Sequence, residues 1–350
     1  MNNSVTHALL AAALFGASTP FSKMLLGQIA PIMLAGLLYI GSGIGLLAWF
    51  CVRRFASRRS AADVALLTAK DTPWLAGAIF FGGIAAPVLL MTGLAMVSAS
   101  SASLLLNLEG VLTSFLAWFV FKENFDRRIF LGMTLIVAGG AVLAWQPGSA
   151  PGVPWGALAI VAACACWAID NNLTRKVSAS DAVQIAAIKG VVAGVVNLSI
   201  AMALGFSLPP VPATLLAAVI GFLGYGLSLV LFVLALRGLG TARTGAYFSV
   251  APFVGAALSL ALLGEAPDIG FWVAGVLMAA GIWLHLTESH GHAHSHDETQ
   301  HLHEHSHDTH HQHEHDFAWD SRQPHTHSHH HEPMHHAHPH FPDTHHRHKH

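Results

Sequence analysis

Charged residues are scarce in this chain of 350 residues, of which only 10% are Asp, Glu, Lys or Arg while 53% are hydrophobic. A soluble globular domain carries about 25% charged residues, so this composition excludes that class for most of the chain. Histidine is also scarce before residue 286, where His7 and His285 are the only two of the 27 in the chain. The sequence therefore divides into a long apolar part and a short histidine-rich tail.

The apolar part also lacks the motifs of common enzymes. It has no GxxxxGK[ST] phosphate loop, no HExxH zinc pair and no convincing Ser-His-Asp set. Its three cysteines, Cys51, Cys164 and Cys166, are too few for a disulfide framework and are interpreted as small core residues. We expect neither enzymatic activity nor a nucleic-acid partner. If the protein moves a solute uphill, it must use an ion gradient or exchange, unless a separate partner supplies the energy.

Long apolar runs fill the first 286 residues. A bilayer core about 30 Å thick needs roughly 20 apolar residues per helix. The sequence predicts an all-α membrane protein with ten such spans, at residues 7–26, 31–52, 73–95, 99–121, 128–146, 154–174, 182–204, 212–236, 242–263 and 268–286. The N-terminal run lacks the basic region of a secretory signal, so we interpret it as a retained span.

Basic residues fix the expected orientation. The connections near 27–30, 97, 146–153, 205–211 and 264–267 contain no lysine or arginine, whereas the alternate connections contain many. This asymmetry predicts a cytoplasmic N-terminus and, with ten spans, a cytoplasmic C-terminus. Lys23, near the outer end of the first span, is the one discordant residue.

An internal repeat organises the apolar part. An offset of 142 positions aligns Glu123 with Glu265, and it aligns Gly139 with Gly281. We predict two repeats, at residues 1–146 and 153–286, with five spans each. Because five is odd, the second repeat enters the membrane from the opposite side, and such folds place a substrate site between the halves near mid-membrane.

Few polar residues lie inside the spans, and these are the candidate substrate or coupling residues. Glu109 lies near the centre of the fourth span, where an acidic side chain costs about 2.5–3.5 kcal/mol, so it should face a cavity or a partner. Thr113, one turn further on, shares its face. The alternative for Glu109 is a structural role, as a buried carboxylate held by hydrogen bonds between helices. The full candidate set is Glu109, Asp170, Asn171, Lys23, Lys189, Asn107, Trp167 and Tyr247.

The partner of Lys189 is left open between Glu109 and Asp170. Asp170 either pairs with a nearby base or lines a cavity with Asn171. Small residues at Gly41, Gly45, Gly190 and Gly194 indicate close helix packing.

The tail contains 25 histidines between residues 290 and 350 and has no apolar periodicity, so we expect it to be disordered. Neutral imidazole suits zinc, nickel and copper, which predicts divalent-metal binding without a single preferred metal. The candidate ligands are His292, His294, His296, His301, His303, His305 and His307.

These features resemble the EamA branch of the drug/metabolite transporter superfamily over residues 7–286. The FGASTPFSK opening (Phe15–Lys23) and the glutamate turns FKENFDRR and LLGEAPD carry the resemblance. The first half has Glu109-Gly110 where the second has Ala251-Pro252 and the family more usually shows proline. The resemblance implies a secondary carrier in a bacterial inner membrane, with no required cofactor, that exports metabolites, amino acids or drugs.

Three functions remain open at this stage. The first is a proton-exchanging exporter with Glu109 as the coupling acid. The second is a divalent-metal efflux permease whose tail collects zinc, nickel or cobalt. The third is a membrane-anchored metal buffer without transport. The expected partners are the lipid bilayer, a small-molecule substrate and divalent metal ions on the tail, and the oligomeric state is open between monomer and homodimer.

Overall fold

The structure is a computed structural model whose described chain forms two units, Met1–Glu288 and Ser289–His350. It describes residues 3–56, 67, 71–121, 127–145, 153–177, 181–239, 241–286, 290–296, 299–305, 325–331 and 334–340. Among these residues, the elements of the first unit are helices and those of the second are strands.

The described residues of the first unit form fourteen α-helices, which confirms the predicted all-helical fold of the apolar part. They are α1 (Asn3–Leu26), α2 (Pro31–Ala56), α3 (Thr72–Ala78), α4 (Ala86–Met96), α5 (Ala99–Leu105), α6 (Leu108–Phe121), α7 (Arg127–Ala144), α8 (Trp155–Val177), α9 (Ala182–Ala203), α10 (Val211–Gly221), α11 (Ser228–Leu239), α12 (Thr241–Phe248), α13 (Ala251–Leu263) and α14 (Ile269–Leu286). Two π-helical segments, Ile79–Ala85 and Phe222–Leu227, continue α3 into α4 and α10 into α11.

Eight of the predicted spans are long and apolar enough to cross a bilayer, and the last two correspond to shorter apolar helices. The fourth predicted span, 99–121, is present as α5 and α6, and the helix is interrupted between them at Leu106 and Asn107. The second repeat is interrupted at the equivalent place, at Ser249 and Val250.

Different residues produce the two interruptions. In the second repeat, Pro252 has no backbone N–H and restricts the residue before it. In the first repeat, the amide of Asn107 bonds Leu104 O at 3.0 Å and its side chain donates to the same oxygen, also at 3.0 Å. These three-residue turns compete with the α-helical pattern. The helix break is therefore present in both halves although proline is present in only one.

Close backbone contact joins α2 and α9. A Cβ added at Gly190 would lie 2.6 Å from the amide nitrogen of Gly43, and one at Gly194 would lie 2.5 Å from that of Ile40. These contacts confirm Gly190 and Gly194 as positions of close helix packing. Helices α7 and α14, which the 142-residue offset relates, also pack against each other.

Large apolar side chains cover the outer face of α14. Trp272 and Val276 are 55% and 69% exposed, and together with Val273 and Leu277 they line an open groove of about 300 Å³. An exposed apolar face of this extent on a polytopic chain suits contact with lipid.

The tail contains four strands, β1 (His290–His296), β2 (Thr299–His305), β3 (His325–His331) and β4 (Met334–His340). They form two antiparallel two-stranded sheets, β1 with β4 and β2 with β3. Histidine occupies alternate positions of β1, a period-two pattern that extended backbone accommodates although it supplies no apolar face.

Candidate functional site

A carboxylate marks the helix break of the first repeat. Glu109 is the second residue of α6, where α6 packs against α8. The amide nitrogen Nδ2 of Asn171, on α8, donates to Glu109 Oε1 at 2.9 Å. Glu109 is half-buried and Asn171 is exposed, while a Cβ added at Gly110 would meet nothing within 4 Å. The contact between Glu109 and Asn171 therefore lies at the edge of the packed interior.

Thr113 extends the polar face of Glu109 by one turn of α6. It is half-buried, and within the described part of the chain its buried Oγ1 has no hydrogen-bond partner. Buried hydroxyls in folded proteins nearly always have a partner, so this atom is suited to a water or a ligand.

Asp170 and Lys189 form a buried ion pair one residue from Asn171. Lys189 Nζ donates to Asp170 Oδ2, and Thr174 Oγ1 donates to Asp170 Oδ1 at 3.0 Å. Asp170 is 4% and Lys189 8% exposed. Of the two partners that the sequence left open for Lys189, the structure selects Asp170. Asp170 therefore does not line an open cavity.

The first π-helical segment contacts this ion pair. A Cβ added at Gly82 would lie 1.9 Å from Asp170 Oδ2, so only glycine fits there. Gly82 O accepts hydrogen bonds from Tyr39 Oη at 2.7 Å and from Trp167 Nε1 at 3.1 Å. Asn197 Nδ2 donates to Gly83 O at 3.2 Å. The widened turn thus presents carbonyls to side chains from α2, α8 and α9.

Aromatic rings connect the two repeats beside these carbonyls. Phe15, on α1, lies 6.2 Å from Trp167, 5.8 Å from Tyr225 and 5.5 Å from Phe248, between ring centroids. Tyr39 lies 5.5 Å from Tyr225. Phe15, Tyr225 and Phe248 are only half-buried, so this aromatic cluster combines apolar surface with partial access.

The predicted site residues thus separate into groups. Glu109 and Asn171 contact each other, and Trp167 belongs to the aromatic cluster. The Asp170–Lys189 pair joins α8 to α9 one residue away from Asn171. Tyr247 is half-buried next to Phe248, which supplies the ring that joins the cluster.

Two other predicted residues lie outside this arrangement. Asn107 is 7% exposed, and its Nδ2 bonds Leu104 O and approaches Met278 Sδ at 3.7 Å, so it stabilises the helix break. Lys23 donates to Leu94 O and Val97 O at the end of α4.

Two residues that bond the carbonyls of the first π-helical segment, Tyr39 and Asn197, were not predicted from the sequence. Asn197 is fully buried within an apolar span, and an isolated amide in such a span could have marked it as a site residue. A single tyrosine in a span resembles ordinary packing, so Tyr39 carried no such signal.

Six of the predicted metal ligands lie on described strands, His292, His294 and His296 on β1 and His301, His303 and His305 on β2. His307 lies outside the described residues. The backbone register pairs His292 with His338 and His303 with His327. Among the described residues, no group of three or more His, Cys, Asp or Glu is arranged to hold a metal ion.

Comparisons with known proteins agree with this helical architecture. The family model described as the EamA-like transporter family matches residues 3–145 and again residues 154–287. An "Uncharacterized transporter" of Methanothermobacter thermautotrophicus is 27% identical over 291 residues, which cover 79% of this chain and 84% of that protein.

Two further likenesses are more limited. A probable 4-amino-4-deoxy-L-arabinose-phosphoundecaprenol flippase subunit, ArnE, of Pseudomonas paraeruginosa is 43% identical over 74 residues, which are 21% of this chain and 62% of that protein. A solved crystal structure matches with a TM-score of 0.59 and 19% identity, over 80% of this chain and 95% of the other. At that identity the structural match establishes the fold alone.

Proposed function

The chain is a multi-pass membrane protein that belongs to the EamA-like transporter family. From this membership we propose that it is a proton-exchanging secondary exporter. Its substrates are small metabolites, amino acids or drugs. We place it in a bacterial inner membrane with both termini in the cytoplasm and with its two five-span halves inverted. In this proposal it is a carrier and not an enzyme.

The carboxylate of Glu109, which lies inside a membrane span and is bonded to Asn171, is the observation that carries this proposal. It lies at a helix break where α6 meets α8, with Asn171 as its hydrogen-bond donor. An ionisable group inside a span is costly, and in transporters such groups mark ion and proton pathways. A carboxylate that takes up a proton from one side and releases it when substrate binds from the other couples the two movements.

The aromatic cluster supports binding of a partly apolar solute next to that carboxylate. Trp167 lies one turn before Asn171 on α8, and its ring contacts Phe15 of α1. Alternating-access carriers bind substrate between their two repeats, at sites that discontinuous helices and facing side chains form. The partial likeness to a flippase subunit supports movement across a bilayer and does not select the substrate.

The tail has a separate role in this proposal. With histidine at alternate positions of β1 and β2, it binds divalent zinc, nickel or cobalt, and transport itself requires no metal cofactor. Metal held there does not enter the transport cycle.

A growth screen tests the proposed function. Strains that overexpress the protein or lack it are compared for tolerance to amino acids, drugs and divalent metals. We expect overexpression to raise tolerance to at least one organic solute and deletion to lower it. A change in tolerance confined to metals would contradict the proposal and support the metal efflux permease instead.

Deleting residues 290–350 separates the tail from transport. Because the proposed passage lies within residues 3–286, we expect the truncated protein to confer the same solute tolerance as the full chain and to leave metal resistance unchanged. Equal membrane abundance, measured by immunoblot, is the control. Loss of metal resistance on truncation would contradict this assignment.

A further inference from the structure

Two charged side chains hold the short turn between α4 and α5 at its two ends. Lys23 Nζ, from α1, donates to Leu94 O at 2.6 Å and to Val97 O at 2.7 Å. Glu265, which follows α13, accepts from the backbone amide of Ala99 at 2.7 Å through Oε1 and from that of Ser100 at 2.9 Å through Oε2. The turn is thus fixed by elements that lie far away in the chain.

The signs of these charges match the helix ends they contact. The last carbonyls of α4 carry partial negative charge and receive the Lys23 ammonium, while the first amides of α5 carry partial positive charge and receive the Glu265 carboxylate. Hydrogen bonds to charged groups are roughly twice as strong as neutral ones. The discordant lysine of the orientation pattern therefore has a structural partner.

The Glu265 contact joins the two repeats. Glu265 belongs to the second repeat, whereas Ala99 and Ser100 open α5 in the first. Helix α13 also packs against α5 and α1, so these elements meet at this end of the bundle. Separation of the α13–α14 connection from the start of α5 breaks the two bonds of Glu265.

Two unsatisfied hydroxyls lie just inside this turn. Ser22 precedes Lys23 and is fully buried, and Ser103, one turn after Ala99, is 1% exposed. Neither Oγ has a hydrogen-bond partner within the described part of the chain. Buried hydroxyls are normally paired, so these two oxygens beneath one turn are free to bond water if the turn opens.

We propose that Lys23 and Glu265 form an outer gate, which is closed in this structure. The positive-inside pattern places the α4–α5 turn and Glu265 on the outside. Release of substrate to the outside requires Glu265 to leave the amides of α5 and Lys23 to leave the carbonyls of α4. Water then reaches Ser22 and Ser103. This inference rests on the proposed transport function, because it assumes alternating access between two states.

Asp268 provides a matched control in the same connection. Its Oδ1 accepts from the amide of Phe271 at 2.9 Å, three residues away, and so stabilises the start of its own helix, α14. Replacing Asp268 removes a carboxylate close to Glu265 in sequence without removing a bond between the repeats.

Cysteine accessibility tests the gate without knowledge of the substrate. Ser103→Cys is placed in a background with Cys51→Ser, Cys164→Ala and Cys166→Ala, and its reaction with a membrane-impermeant maleimide is timed in right-side-out vesicles. We expect Glu265→Gln and Lys23→Met each to raise the labelling rate about tenfold, because weaker bonds increase the open fraction. Asp268→Asn should leave the rate unchanged, and Lys23→Arg, which keeps the cation, should stay close to the parent.

Three results would overturn the gate. They are an unchanged rate in Glu265→Gln, an equal rise in Asp268→Asn, and a rise seen only in inside-out vesicles. Monodisperse elution in detergent shows that each variant is folded. Because labelling needs no solute, a failed growth screen with a responsive labelling rate would reject the exporter and keep the gate. A successful growth screen with an unchanged labelling rate would reject the gate and keep the exporter.

Discussion

Glu109→Gln is expected to abolish solute transport driven by a pH gradient and to leave folding intact. The glutamine oxygen can still accept the hydrogen bond that Asn171 Nδ2 donates at 2.9 Å, so the local geometry is kept. The amide takes up no proton, however, and proton exchange is what the carboxylate contributes. The measurement is uptake of the substrate found by the growth screen into proteoliposomes with an imposed pH gradient, which should fall to the level of protein-free liposomes.

Asp268→Asn is the control for this experiment, since it removes a carboxylate from a connection at the end of a span. Its flux should equal that of the parent protein. Unchanged gradient-driven flux in Glu109→Gln would show that Glu109 is not the coupling acid. Its role would then be structural.

Breaking the Asp170–Lys189 pair should strongly destabilise the protein. Both side chains are buried, and Gly82 packs directly against Asp170, so neither charge can be left alone without an uncompensated buried ion. Removal of one partner of a buried pair costs about 3–5 kcal/mol. We expect Asp170→Asn or Lys189→Met alone to lower the thermal unfolding temperature in detergent markedly.

The double variant Asp170→Asn with Lys189→Met should recover most of the lost stability, because no unpaired charge remains. Glu109→Gln in the same assay should unfold near the parent temperature. A double variant that loses the sum of the two single losses would show that the residues do not act as a pair.

The apolar spans were predictable because hydrophobic runs of the right length are a direct consequence of the bilayer. The interruption at Leu106 and Asn107 was not, since the run LLLNLEG continues the apolar pattern through it. The break depends on where the side chain of Asn107 finds an acceptor. A hydrophobicity pattern does not show whether the hydrogen bonds of Asn107 replace the α-helical ones.

The site was predictable as a set of residues but not as a set of contacts. Intramembrane polar residues singled out Glu109 and Asn171, which lie 62 positions apart in the chain. That they contact each other, and that Lys189 contacts Asp170 instead of Glu109, follows from helix packing between α6, α8 and α9. The π-helical carbonyls that Tyr39 and Trp167 contact have no sequence pattern of their own.

Lys23 shows a different kind of gap between sequence and structure. A single lysine near the outer end of a span contradicts the orientation pattern when charge alone is counted. The structure gives it two carbonyl acceptors, and a cation there completes the end of α4. The position of Lys23 is thus explained by its contact with these carbonyls and does not contradict the orientation pattern.

The proposed transport function requires two bundles that lie inverted relative to each other in the membrane. Topology mapping with reporter fusions tests this directly, at both chain ends, after Phe121 and after Ala266. The account predicts that both ends and the position after Phe121 are cytoplasmic while the position after Ala266 is outside. Chain ends on opposite sides, or the two internal positions on the same side, would contradict it.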